Sequence, residues 1–189
     1  MDTKILIVSA SEKSSSALAQ LLKRYTWNNL DFASNGAEVR RAVLRYPYSV
    51  IIINAPLNDE QGNKLAVDLV HSTRSSVVLL AKSDIAEVLA SNVEGEGVFV
   101  VPKPIAPRQF ISALRLSVAF NQRLQKMDAE ILKKEKKYEE LRTVSRAKCI
   151  LIEKEHLTEQ EAHKFIERQA MNKRESKLQI STGIIKRYL

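Results

Sequence analysis

Short, unbroken apolar runs alternate with amphipathic stretches over the first 107 residues of this chain, and then stop. Ile5-Leu6-Ile7-Val8, Val50-Ile51-Ile52-Ile53, Val77-Val78-Leu79-Leu80 and Val98-Phe99-Val100-Val101 are apolar at every position. Such runs fit strands covered on both faces, as in a parallel sheet. Between them, apolar residues recur at helical spacing. Ala17, Leu18, Leu21, Leu22 and Tyr25 follow a start signal at Ser11. Val39, Ala42, Val43 and Tyr46 form a second helical set, and a weaker strand, Leu30 to Ala33, lies between the two. The order βαβαβαβαβ, closed by a helix after Pro107, predicts a doubly wound α/β domain.

The closing helix does not stop where a domain helix should. Pro107 suits a first helical turn, and helix-compatible sequence continues to about His156. At about 1.5 Å per residue that helix would span roughly 73 Å, far more than one domain needs. Its middle carries a 3-4 apolar rhythm: Phe120, Leu124, Met127 and Ile131, an interruption at Lys134, then Tyr138 and Leu141. Lysines and glutamates fill the other faces. The pattern predicts a coiled-coil seam over residues 119–142, with a parallel homodimer as the simplest partner. The alternative is a helix folded back on its own sheet.

A break at His156-Leu157 precedes Thr158-Glu159-Gln160-Glu161, which has the T-x-x-E form of a capping box. A second helix is expected to bury Ala162, Phe165, Ile166 and Ala170 and to end near Asn172. A third, about Lys177 to Tyr188, carries Leu178, Ile184 and Ile185. The expected organisation is an α/β domain over 1–118, a coiled-coil helix over 119–142, and a small all-α module of three helices over 143–189.

Charge sharpens this division. Residues 1–110 hold 12 basic and 11 acidic side chains, whereas residues 111–189 hold 18 and 11. The excess positive charge therefore sits almost wholly in the helical half, as expected of a polyanion-binding module. A solvated Lys/Glu-rich surface is the plainer alternative. No apolar run approaches the roughly 18 residues of a membrane span, and no secretory signal pattern opens the chain. The single cysteine, Cys149, excludes an intramolecular disulfide and a cysteine metal cluster. A cytoplasmic protein is expected. His156 and His163 are seven residues apart without carboxylate or Cys partners at metal spacing, so neither a metal nor a cofactor is expected.

The first domain resembles a two-component receiver, of flavodoxin-like order. Gly62, eight residues after Asn54, and Val101-Pro102-Lys103-Pro104 carry the resemblance. Receivers use an aspartate at the end of the third strand as phosphoryl acceptor. They hold Mg²⁺ with two acidic residues after the first strand, and contact the phosphoryl group with a Ser or Thr after the fourth and a Lys after the fifth. Here those positions hold Asn54, Ser9 with Ala10, Ala81 and Lys103. An amide is no carboxylate nucleophile, and Mg²⁺ prefers hard anionic oxygens. The implied pocket is degenerate and cannot be phosphorylated. Lys103 could donate to the Asn54 side-chain oxygen, or could simply pack beside Pro104, the plainer reading. Receivers often have a cis peptide at the position of Lys103-Pro104.

The last 50 or so residues resemble the ANTAR domain of bacterial antiterminators, which reads A-K-G-x-L, then L-S/T-x-x-x-A, then R-x-x-A-M. The matching residues are Arg146-Ala147-Lys148-Cys149-Ile150-Leu151, Leu157-Thr158-Glu159-Gln160-Glu161-Ala162 and Arg168-Gln169-Ala170-Met171. Cys149 departs from the usual glycine and is expected to be a small buried apolar residue. Ala170 and Met171 are expected in the core. The resemblance implies a dimer that binds paired RNA hairpins in leader transcripts and so prevents a terminator from forming. Lys148, Arg168, Lys173, Arg174 and Lys177 are the candidate RNA-binding cations.

Together these readings point to an antitermination regulator controlled without phosphorylation, by a sensor protein partner or a small ligand. Two alternatives are a DNA-binding regulator of the receiver type and a coiled-coil signalling adaptor without nucleic acid. The first would need a recognition helix, and the third C-terminal helix is short with few base-reading side chains. No nucleophile-base pair or Gly-rich phosphate loop suggests an enzyme.

Overall fold

The computed structural model describes residues 3–188. The chain divides into two compact units, Met1–Lys126 and Met127–Leu189.

The first unit is a five-stranded parallel sheet flanked by helices. Its elements are β1 (Ile5–Ser9), α1 (Glu12–Lys23), β2 (Leu30–Ala33), α2 (Gly36–Arg45), β3 (Val50–Asn54), α3 (Asn63–Ser72), β4 (Ser76–Lys82), α4 (Ser83–Val93) and β5 (Val98–Lys103), then the start of α5 (Pro107–Glu155). Strand order is β2-β1-β3-β4-β5, with every neighbouring pair parallel. This is the doubly wound, flavodoxin-like arrangement that the alternating pattern predicts.

The unbroken apolar runs follow from two-sided burial. Alternate side chains of a strand point to opposite faces. Leu6, Val8, Ile51, Ile53, Val77 and Leu79 pack with Val39 of α2 and Leu65 and Leu69 of α3. Ile5, Ile7, Val50, Ile52, Val78 and Leu80 pack with Leu18 and Leu22 of α1 and Phe110 and Leu114 of α5. Helix α1 is capped by the expected Ser11, whose hydroxyl accepts from the Ser14 N–H. Its buried face is Leu18, Ala19 and Leu22, while Ala17 is exposed: the apolar stripe sits one position later than the sequence suggested. Tyr46 lies beyond the end of α2 in extended backbone and is also exposed.

Helix α5 meets the sheet partly through a polar seam. Ser117 and Asn121 are buried. The Ser76 hydroxyl donates to the Ser117 carbonyl at 2.9 Å, the Asn121 amide donates to the Arg74 carbonyl, and Gln125 donates to Asn121 Oδ1 at 2.9 Å. The i, i+4, i+8 spacing places all three on one side of the helix.

The second unit contains the rest of α5, α6 (Glu159–Lys173) and α7 (Lys177–Tyr188). Helix α5 ends at Glu155, and His156 takes a left-handed conformation with φ 55°. Thr158 then caps α6 with the predicted capping box, its hydroxyl accepting from the Glu161 N–H while the Glu161 carboxylate accepts from the Thr158 N–H. Ala147, Leu151, Ala162, Ile166 and Ile180 form a small core, with Ala170, Ile184 and Ile185 half-buried against it.

Three expectations for this core are corrected. Cys149 is exposed, and Met171 is 79% exposed. Phe165 is 36% exposed rather than buried. Cys149 stands opposite the buried Ala147 and Leu151 of α5, and Met171 opposite the buried Ala162 and Ile166 of α6, so helical spacing turns both outward.

Candidate functional sites

The receiver-like pocket is built at the carboxyl ends of the strands. Register sets Asn54 beside Ser9 of β1 and Leu80 of β4, and Lys103 beside Lys82. The Asn54 amide donates to Ser9 Oγ at 2.9 Å, and that hydroxyl donates to the Ser11 carbonyl at 3.2 Å. From the other side, Lys103 Nζ donates to Asn54 Oδ1 at 3.1 Å and to the Ala55 carbonyl. Lys103 is therefore more than a packed stem, and the packing-only expectation is corrected. Its flexible four-carbon chain spans the end of β4, where Ala81 offers neither bulk nor a hydroxyl.

The result is a donor-to-acceptor chain from Lys103 through Asn54 and Ser9 to Ser11, with no carboxylate in it. Burial, helped by the nearby Lys82 charge, holds the Lys103 ammonium below its ordinary pKa. Ala81 is buried and Ala10 half-buried. The carboxylates that follow β3 are committed elsewhere. Asp59 accepts from the Gly36 and Ala37 N–H groups at the start of α2, and Glu60 pairs with Arg40 at 2.6 Å. These hydrogen bonds hold Asp59 below the ordinary carboxylate range, the Gly36 contact being the largest influence. The bonds Ala55-Pro56 and Lys103-Pro104 are both cis.

The apolar stripe of α5 is exposed in the single chain. Phe120, Leu124, Met127, Ile131, Tyr138 and Leu141 are between 41% and 68% exposed. Phe120 also meets Phe99 of β5 edge-on, with ring centroids 6.5 Å apart.

In the second unit the five candidate cations fall into three environments. Lys148 pairs with Glu159 at 2.6 Å, and Lys177 with Glu167 at 2.6 Å. Glu159, His163 and Glu167 follow one another at i, i+4, i+8 and form an acidic ridge along α6, with His163 Nε2 3.3 Å from Glu167. The lysine hydrogen bonds hold both carboxylates below their ordinary pKa. Lys173 lines the groove between α6 and α7 together with Phe165, Gln169, Gln179 and Arg187. Arg168 and Arg174 are exposed, and Arg174 occupies the left-handed position that closes α6.

Helical spacing adds Lys164, which lies outside the motif, and moves the motif residue Met171 from the core to the surface. Lys164, Arg168 and Met171 stand at i, i+4 and i+7, opposite the buried Ala162 and Ile166, and all three are exposed. Plotting α6 at 100° per residue would have found them. The expectation that Met171 was core obscured that face.

Residues 133–185 match a family model described as the ANTAR domain. Over 169 residues the chain is 22% identical to the transcriptional regulatory protein PdtaR of Mycobacterium tuberculosis, covering 89% of this chain and 82% of the relative. Among solved structures, the signal receiver domain of an HD domain-containing protein from Pseudomonas fluorescens superposes with a TM-score of 0.60 at 21% identity, over 66% of this chain and 93% of that one. A CheY-like response regulator receiver domain from Methanospirillum hungatei gives 0.56 at 16%, over 65% and 98%. The structural likeness establishes the receiver fold of the first unit.

Proposed function

We propose that this chain, which joins a receiver-fold domain to an ANTAR domain, is a transcription antitermination regulator that binds RNA hairpins in nascent leader transcripts. The observation that carries the reading is the surface of the ANTAR module. Arg168 and Arg174 are exposed, and no ion pair among the described residues involves them, while Lys164 is exposed with the Glu161 carboxylate as a nearby opposite charge. Cations left free in the folded protein are available to phosphates, and their release of counterions supplies affinity. Arg168 can add bidentate hydrogen bonds to a base edge or a phosphate. The PdtaR likeness supports a role in transcription, and the chain's positive charge, concentrated after residue 110, supports a polyanion partner.

The exposed stripe on α5 supports a parallel homodimer that presents two modules to two hairpins on one transcript. Each binding event after the first then becomes intramolecular, which raises avidity without new contacts. The first unit, with Asn54 in the acceptor position, takes its instruction from a sensor protein or a small ligand in the cytoplasm rather than from phosphate. Filter binding of the full chain to hairpin RNA, single-stranded RNA without a hairpin and duplex DNA tests the reading. Preference for the hairpin supports it. Equal or tighter retention of duplex DNA, or retention of neither nucleic acid, contradicts it.

A further inference from the structure

Two of the five motif-derived cations are already neutralised within the fold. Lys148 and Lys177 face carboxylates of the α6 ridge at 2.6 Å, and a phosphate there would meet Glu159 and Glu167 as well as the lysines. The groove between α6 and α7 is balanced too, since Lys173 and Arg187 share its lining with Glu155 and Glu175. A polyanion gains little from either place.

The outward face of α6 differs. Lys164, Arg168 and Met171 lie on it, and Arg174 follows at the helix end. The neighbouring carboxylates are largely occupied: Glu161 accepts from Thr158 in the capping box and shares only a through-space attraction with Lys164, and Glu167 takes Lys177 and His163. Among the described residues of the second unit, Met171 is the most exposed large apolar side chain, at 79%. Its flexible thioether lies one helical turn beyond an unpaired guanidinium. Loop RNA presents both features such a face would meet, phosphates and unstacked bases, whereas a duplex presents phosphates with its bases stacked.

We propose that this face, Lys164, Arg168, Met171 and Arg174, reads a single-stranded RNA loop, with the cations on phosphates and Met171 packed against an unstacked base. The proposal rests on the RNA-binding reading above and adds which surface does the binding and how. Methionine suits the task because it is unbranched and polarizable, and adapts to irregular partners.

The two kinds of contact leave different signatures in a salt series. The full-length chain and its variants are titrated with a hairpin RNA at several salt concentrations, with circular dichroism confirming helicity. Arg168→Ala and Lys164→Ala should each reduce the salt slope by roughly 0.7–0.9. Met171→Ala should weaken loop binding about tenfold, a typical loss for one buried apolar side chain, with the slope unchanged, and Met171→Leu should retain most of the affinity. Lys177→Ala should change affinity less than twofold. Wild-type affinity in a folded Met171→Ala variant overturns this inference alone, as does a loss confined to Lys148 and Lys177 variants. A wild-type chain that binds no RNA overturns this inference and the proposed function together.

Discussion

Lys103 Nζ lies 3.1 Å from Oδ1 of Asn54, so the lysine donates to the residue that stands where a receiver carries its phosphoryl acceptor. Asn54 passes the contact on to Ser9 through its own amide. The pocket is thus internally satisfied: each polar atom finds a partner within the protein, and none is an anionic oxygen for Mg²⁺. Incubation with acetyl phosphate and Mg²⁺ is expected to leave the intact mass unchanged. Asn54→Asp alone should not restore the reaction, because Ser9 and Ala10 still supply no anionic metal ligand and Ala81 supplies no hydroxyl. A stoichiometric phosphoryl adduct on the native chain would refute this.

The same contact contributes to stability. Lys103→Met keeps the stem but leaves the inner Asn54 oxygen without its donor. Loss of such a partner typically costs about 1–3 kcal/mol, and the half-exposed position of Lys103 argues for the lower end. Thermal unfolding should shift down by a few degrees. No shift would show that the bond is not maintained in solution.

Much of this pocket was legible in the sequence, and much of the second unit's surface was not. Asn54 and Lys103 could be placed because each follows a continuous apolar run whose end fixes its position at the sheet's edge. The Lys103-Asn54 bond was one of two readings, since a sequence does not say whether a long side chain reaches across a neighbouring strand. Asp59 and Glu60, which fasten the loop after β3 to α2, gave no periodic signal. In the small module, Met171 and Cys149, which read as apolar, lie on the outer faces of their helices, opposite Ala162 and Ile166 and opposite Ala147 and Leu151. The ion pairs of Lys148 and Lys177 join residues ten or more positions apart, beyond the reach of local spacing.

The capping box is the expected weak point of the second module. Thr158→Ala removes the acceptor for the Glu161 N–H and should cost about 1 kcal/mol. Glu161 is held below its ordinary value of 4.5, chiefly by the Thr158 backbone N–H. A depressed carboxylate pKa contributes stability above the unfolded value, and that contribution is lost as pH falls through the folded one. Helicity of this module should therefore fall as pH drops below about 4.5, and less steeply in Glu161→Gln. Identical acid profiles for the two proteins would contradict the assignment.

Dimerisation has a direct test in the α5 stripe. Leu124 and Ile131 are about half exposed, so pairing would bury roughly half of the 1.5–3 kcal/mol available to each such side chain, on both chains. Leu124→Asp combined with Ile131→Asp should convert a dimer into monomers in sedimentation velocity, with the receiver-fold domain still folded. A double variant that stays dimeric would move the interface elsewhere, to the surface of the first unit.

In the proposed function, a pair of ANTAR modules engages a pair of RNA hairpins. The most direct measurement compares the affinity of the wild-type chain for one transcript carrying two hairpins and for the same transcript with one hairpin removed, at a fixed salt concentration. Much tighter binding to the two-hairpin transcript is expected, with that advantage lost in the Leu124→Asp/Ile131→Asp variant. Equal affinity for the two transcripts would contradict it.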